Sequence, residues 1–379
     1  MPTGLMFPFF NLYLSKNLGW SGTSIGTMTA LGSFLIFISQ PLWGRISDLA
    51  NKSRILAAAL AINALLALVQ PLAAGSFLLF AIIRLSHAVF AGSTGPMLDG
   101  IALDVLGDDG DTYGEYRLWG SFGFAIVALA FGKIYEKIGF GSMFISYFVM
   151  TMVAAFIILR LNTNSHKVDA EKSSMELRPV LTNPVLLLLF LGIFLVMTPF
   201  SASDNFLTLY FDALGAPASF TGYAFGLTAL VEIPLFLLAP RMIRRFGHKP
   251  VLVMSTGMFG LKLILNVIYP IPWIAVALQS FSGAGFAFFQ VASVLMVDAL
   301  VPPQFRSTGQ AVLGTIAWSL SGIIGNIIFG RLLDSANIFT AFRWGGYVSL
   351  MGTLFIYLFV RDKAPSKNKS VTSGSHRSS

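Results

Sequence analysis

Several ionisable side chains of this chain fall inside long apolar stretches, where an unpaired charge is costly. Arg84 and His87 stand three residues apart in "FAIIRLSHAVFAGSTGPMLD", about one helical turn, and Asp99 ends that stretch. Arg117 opens "YRLWGSFGFAIVALAFG", Asp204 and Asn205 lie in "TPFSASDNFLTLYF", Glu232 interrupts "GLTALVEIPLFLL", and Lys262 sits in "FGLKLILN". Gln279 and Gln290 are eleven residues apart, hence on one helical face. This is the chemistry of ions and hydrogen bonds, not of bond making. A carboxylate that takes up a proton becomes neutral and can cross apolar surroundings, so Asp204 and Glu232 are the candidate proton carriers, with Arg84 and Lys262 beside them. Asp99 and Arg117 are a candidate substrate clamp. The guanidinium suits a carboxylate, and the two together suit hydroxyls. Asn205, Gln279, Gln290 and Phe124 complete the candidate binding set, and Phe10, Tyr13, Phe200 and Tyr210 offer further rings for stacking. Structural readings stand beside these. Lys262 can snorkel or pair with a carboxylate, His87 can be a hydrogen-bonded interior residue, the glutamines can join helices, and Asp99 with Arg117 can be a plain ion pair.

The elements that position these groups are membrane helices. Of 379 residues, 55% are hydrophobic and 11% charged, against about 25% charged in a soluble domain. Apolar segments run at about 22–43, 53–73, 75–98, 115–135, 141–160, 184–211, 218–240, 250–270, 273–299, 307–332 and 338–360, after a short one at 1–14. Each of the eleven is near the ~20 residues that span a bilayer, and none alternates as a barrel strand does. The absence of Cys excludes disulfides, thiolate metal sites and Cys nucleophiles. No basic, cleavable leader opens the chain. Arg45, Lys52, Arg54, Arg160, Lys167, Lys172, Arg178, Arg241, Arg244, Arg245, Lys249 and Arg306 fall in one set of alternate loops, and Lys16, Lys133, Lys137, Arg331 and Arg343 in the other. The first set is expected to be cytoplasmic, and with it the C-terminus, in a multi-pass protein of the cell (inner or plasma) membrane. The net charge of +8 then reads as loops facing anionic lipid rather than nucleic acid.

The chain also repeats itself. "FGKIYE" at 131–136 resembles "FGRLLD" at 329–334, "LDG" at 98–100 resembles "VDA" at 297–299, and "NLYL" at 11–14 resembles "TLYF" at 208–211, at offsets of 197 to 199. Gly19 and Gly26 match Gly215 and Gly222 at an offset of 196. Two halves of the same topology are expected: an all-α membrane protein of twelve transmembrane helices in two six-helix bundles. The division is 1–160, a cytoplasmic linker 161–183, 184–361, and a Ser- and Lys-rich tail 362–379 read as disordered. The first helix is short for a span, and the repeat maps the start of the seventh to a point before Met1, so the first is expected to be truncated at its N-terminus.

Loop motifs carry a resemblance. "GRISDLANKSR" at 44–54 places Gly44, then Asp48, then Lys52 and Arg54 between segments two and three. It resembles the signature loop of the major facilitator superfamily, which implies a gating role for Gly44, Asp48 and Arg54. "RLSHAVFAG" at 84–92 resembles that superfamily's fourth-helix motif, with Arg84 in place and His87–Ala88 where Gln-Gly is usual. "GPMLDGIAL" followed by "YGEYRLWGSFGF" is similar to the phenylpropionate-permease branch, related to lactose permease-type oligosaccharide:proton symporters. By that resemblance Asp99 and Arg117 match the acid and arginine that hold the sugar, Phe124 matches a stacking Trp, and Lys262 matches an arginine near the proton site. The branch's proton-site His and Glu on helix ten have no counterparts, since segment ten offers Gln279, Ser282 and Gln290.

No GxxxxGK[ST] loop, HExxH, GxSxG or dinucleotide fingerprint is present, so the chain is expected to be no enzyme and to need neither cofactor nor metal. The expected function is secondary active transport of a small organic solute (a sugar, nucleoside or aromatic acid) by alternating access, driven by protons, by a monomer in the bilayer. A proton-driven exporter of the same fold and a non-transporting membrane sensor or assembly factor are the alternatives.

Overall fold

A backbone in hydrocarbon has to satisfy its own hydrogen bonds, which these apolar stretches do as helices. The computed structural model describes residues 2–49, 51–106, 113–161, 180, 182–302 and 305–360, so most of the linker and the tail lie outside it. In chain order the helices are α1 (Thr3–Lys16), α2 (Gly22–Leu49), α3 (Lys52–Val69), α4 (Phe77–Ala91), α5 (Thr94–Leu106), α6 (Tyr113–Ile138), α7 (Ser142–Arg160), α8 (Pro184–Asn205), α9 (Leu207–Ala213), α10 (Ser219–Phe246), α11 (His248–Ile268), α12 (Pro272–Leu300), α13 (Arg306–Gly314), α14 (Ser321–Ser335) and α15 (Ile338–Phe359). Eight spans among the described residues are long and apolar enough to cross a membrane, and Phe77–Ala91 is a shorter apolar helix. Large apolar side chains such as Leu72, Leu78, Leu230 and Met351 stand exposed, as a lipid-facing surface requires.

Local chemistry sets several boundaries. Asn51 caps α3 by accepting from Arg54 N at 3.1 Å, Ser76 caps α4, and Asn183 caps α8 ahead of Pro184 at the first helical position. The α10–α11 junction needs Gly247, whose φ is 90°. Three expected spans are subdivided. The stretch 75–98 breaks at Gly92–Ser93, where the Ser93 hydroxyl turns back to Phe90 O at 2.6 Å, and helix resumes to Leu106. The stretch 184–211 breaks at Phe206, so Asp204 and Asn205 end α8. The stretch 307–332 holds a π-helical run, Thr315–Leu320, between α13 and α14.

Within the first half α3 packs on α7 and α4. Within the second, α12 packs on α10 and α11, and α15 on α8 and α11. Between the halves α2 lies along α14, and α6 along α10. The largest core cluster joins them: Leu5, Phe9 and Leu14 of α1 belong with Phe206, Tyr210, Phe211, Phe329 and Phe342. A polar strut crosses the first half, where buried Asn63 accepts from Tyr147 OH at 2.6 Å and donates to His87 O at 2.9 Å. Tyr147→Phe leaves Asn63 Oδ1 without that donor and is expected to cost about 1–3 kcal/mol, read from chemical denaturation of the purified protein.

Candidate functional site

A cavity of about 200 Å³ lies in the first half where it meets α8, lined by Phe7, Phe10, Asn11, Arg84, His87 and Tyr147 among others, with Asn205 contributed by the second half. Arg84 Nη1 lies 2.8 Å from His87 Nδ1, and the guanidinium sits 4.3 Å over the Phe10 ring. Arginine has only donors, so His87 Nδ1 accepts and its ring proton is assigned to Nε2. Asn11 donates to Asn205 O at 2.8 Å, and Asn205 donates to Asn326 Oδ1 at 3.0 Å, an amide chain from α1 through α8 to α14. Ser33 and Ile36 also line a larger cleft of about 530 Å³, bounded by Gln40 of α2 and by Ala311, Thr315 and Trp318 of α13 and the π segment.

Across α8 lies a second polar cluster. Lys262 is wholly buried, and its Nζ donates to Asp204 Oδ1 at 3.1 Å, Gln279 Oε1 at 3.2 Å and Ser282 Oγ at 2.7 Å. Those three acceptors use all three ammonium protons. The Asp204 side chain keeps 25% exposure and is the wet end of the cluster. Asp204 and Asn205 are neighbours in sequence yet serve different sites, because successive helical residues point about 100° apart.

At the end of the molecule that begins α2 and α10, the halves are sealed by pairs of related contacts. Asp334 accepts from Gly22 N at 2.6 Å and Thr23 N at 2.7 Å, at the N-terminus of α2. Glu136 accepts from Ser219 N at 2.5 Å, at the N-terminus of α10. Both carboxylates meet the positive end of a helix dipole. Glu136 and Asp334 close the repeated hexapeptides, and Thr23 and Ser219 are equivalent at the 196 offset. Lys16 and Asp212, also 196 apart, form an ion pair. Glycines set the approach: a Cβ on Gly222 would lie 2.5 Å from Ala128 O, and one on Gly26 would press on Asn326 O. Ala128 and Asn326 are themselves 198 apart. Two bundles of one topology, closed at one end around a cavity that continues into a cleft towards the other, are the architecture of a transporter.

The chain matches the "MFS_1 like family" over residues 2–344. It belongs to that family. It is 26% identical to the maltose permease of Geobacillus stearothermophilus over 359 residues, covering 94% of this chain and 91% of the relative. It is 25% identical to the probable 3-phenylpropionic acid transporter of Escherichia coli (strain K12) over 283 residues, 72% and 73% of the two chains. Among solved structures, the nucleoside transporter NupG superposes with a TM-score of 0.82 at 16% identity, covering 96% of this chain and 96% of the other. A D-xylose-proton symporter superposes with a TM-score of 0.68 at 17% identity, covering 95% and 96%. The fold is that of the major facilitator transporters, and these relatives are permeases rather than enzymes.

Within this MFS_1-like chain, the residues singled out from sequence distribute unevenly. Arg84 and Asn205 line the cavity, while Asp204, Lys262 and Gln279 meet in the buried cluster. Gln279 is only 1% exposed and serves Lys262, so it is no part of the cavity wall. Gln290 and Glu232 are half-buried on α12 and α10, away from the cavity lining. Phe124 packs edge-on against Phe225 at 5.9 Å in the α1–α6–α10 seam and is absent from the lining. Asp99 is exposed on α5; Arg117 lies in the first turns of α6, and its side chain is outside the described residues. Gly44 and Asp48 lie in the last turns of α2, the Asp48 side chain likewise outside the described residues, and Arg54 is exposed. Sequence reasoning used "FGKIYE" and "FGRLLD" as evidence of a repeat and missed that each ends in a carboxylate at a closure. It also missed Asn63, Tyr147 and Asn326, whose partners lie 24 to 121 residues away.

Proposed function

We propose that the chain is a secondary active transporter that carries a small organic solute across the plasma membrane by alternating access, with the proton as coupling ion. The observation that carries the reading is a wholly buried Lys262 paired with a quarter-exposed Asp204, one residue along the helix from a group that lines the solute cavity. A proton arriving at Asp204 neutralises it and takes away the charged partner of the ammonium. The α8 break at Phe206 lies within two residues of both Asp204 and Asn205, so a change at one is felt at the other. Residues 1–160 and 184–361 serve as the rocking halves, joined by 161–183. With the basic loops cytoplasmic, the sealed end faces outward, the cleft opens inward, and Gly44, Asp48 and Arg54 belong to the inner gate. The named substrates of the relatives support a solute among sugars, nucleosides and aromatic acids.

The test is flux in proteoliposomes loaded with a pH-sensitive dye. A transported solute is expected to draw protons in with it, and an imposed pH gradient to drive its accumulation. Asp204→Asn is expected to keep solute exchange at equilibrium and to lose accumulation. Accumulation by Asp204→Asn equal to the wild type would end the proton-coupling assignment, and absence of flux for every member of a broad panel would end the transport reading.

A further inference from the structure

Among the described residues, Lys262 and Arg84 are cations near the polar clusters of the protein, and only Lys262 is paired with a carboxylate. Lys262 has Asp204. Arg84 has His87, which is neutral where it accepts, and the face of Phe10. Among the described residues no carboxylate pairs with Arg84, and the cavity lining contains no Asp or Glu. A guanidinium stays charged at every working pH, and a charge held in a low-dielectric wall needs an anion. One of its five N–H groups is committed to His87, and the fork geometry of the rest suits a two-oxygen acceptor.

We infer that the cavity binds a small organic anion, a carboxylate borne on a single ring, with Arg84 receiving the carboxylate and His87 acting as the positioning residue that holds the guanidinium. The inference rests on the transport reading for its setting, but its test reads binding alone. The ring follows from the rest of the wall: Phe10 and Tyr147 are apolar faces, and Asn11 and Asn205 supply amides. The size follows from the volume beside Arg84, since about 200 Å³ falls below the usual range for drug-sized ligands and suits a single ring there. His87 earns its role by geometry. Its carbonyl is pinned by Asn63, Asn63 by Tyr147, and its ring lies 5.6 Å from the Tyr147 ring, so Nδ1 is a fixed acceptor for Nη1.

The experiment is calorimetric titration of the full chain in phosphatidylcholine nanodiscs, whose lipid carries no net negative charge, with benzoate, benzamide and xylose. Benzoate is expected to bind and its neutral isostere benzamide to bind at least about 10-fold more weakly. Arg84→Gln is expected to weaken benzoate on the order of 10–100-fold and to weaken benzamide by a few-fold at most. His87→Asn, which keeps an oxygen acceptor near the Nδ1 position, is expected to stay within a few-fold of the wild type, and His87→Leu to fall towards Arg84→Gln. Equal binding of benzoate and benzamide, benzoate binding unaltered by Arg84→Gln, benzoate binding only when anionic lipid is added, or no benzoate binding at millimolar concentration each overturns the inference. If Arg84→Gln fails to fold, the comparison of benzoate with benzamide on the wild type decides alone. Benzoate held through Arg84 with no flux in proteoliposomes sinks the transport reading and leaves this one standing. Xylose moved equally by the wild type and Arg84→Gln, with benzoate unbound, does the reverse.

Discussion

Asp204→Ala is expected to destabilise the protein by about 3–5 kcal/mol, the cost of leaving a buried charge without its partner. Lys262 has no exposed surface, and only the neutral oxygens of Gln279 and Ser282 remain as its protein partners. Lys262→Met is expected to cost less. It leaves Asp204 unpaired, but that side chain is a quarter exposed and can be solvated. The double variant Asp204→Ala/Lys262→Met removes both charges and is expected to recover most of the loss, since buried ion pairs replaced by apolar groups are often neutral or better. The double-mutant cycle therefore carries the prediction: the two single losses should exceed the loss in the double variant by more than about 1 kcal/mol. Chemical denaturation in detergent measures all four proteins. Simple additivity would mean that the pair contributes nothing.

The same cluster marks how far the sequence could be read. Asp204, Lys262 and Gln279 stood out because polar groups in apolar helices are costly wherever they lie. Their convergence was not legible, because Lys262 reaches Asp204 across 58 residues and Gln279 across 17, and nothing in helical periodicity sets one helix against another. Arg84 and His87 were legible as a pair, since one turn of one helix brings them together. Their support by Asn63 and Tyr147 was not, being a contact among three helices. Phe124 shows the opposite failure. Resemblance put it at a stacking position, yet the face of α6 at Phe124 meets α1 and α10, so the ring seals a seam rather than a cavity. The helices themselves were legible because length and apolarity dictate them in lipid. The breaks at Gly92–Ser93 and Phe206 and the π turn at Thr315–Leu320 were not, because they depend on the neighbours that take up the freed backbone groups.

Gly26→Leu with Gly222→Leu is expected to hold the sealed end open and to abolish net solute flux. Each new side chain meets a main-chain carbonyl, Asn326 O or Ala128 O, rather than a side chain that can swing aside. Overpacking of this kind costs typically 1–3 kcal/mol per site and sometimes more, and it is incurred only when α2 closes on α14 and α10 on α6. Two such sites total about 2–6 kcal/mol, against the ~5.5 kcal/mol needed to carry an equilibrium from 99:1 to 1:99. The carboxylates act in the same direction with less force. Removing Glu136 and Asp334 forfeits about 0.3–1 kcal/mol each, up to about 2 in sheltered geometry, so Glu136→Gln/Asp334→Asn should shift the population without inverting it. Because the chain has no Cys, one introduced thiol reports the state cleanly. Thr29→Cys places it on the cavity wall towards the sealed end. A membrane-impermeant maleimide added from the sealed side should label it slowly in the native background, faster in the carboxylate pair, and fastest in the glycine pair. Equal labelling rates in all three would mean that the glycines fill space and do not set the closure. A carboxylate pair labelled faster than the glycine pair would move control of the gate from backbone approach to the two helix N-termini.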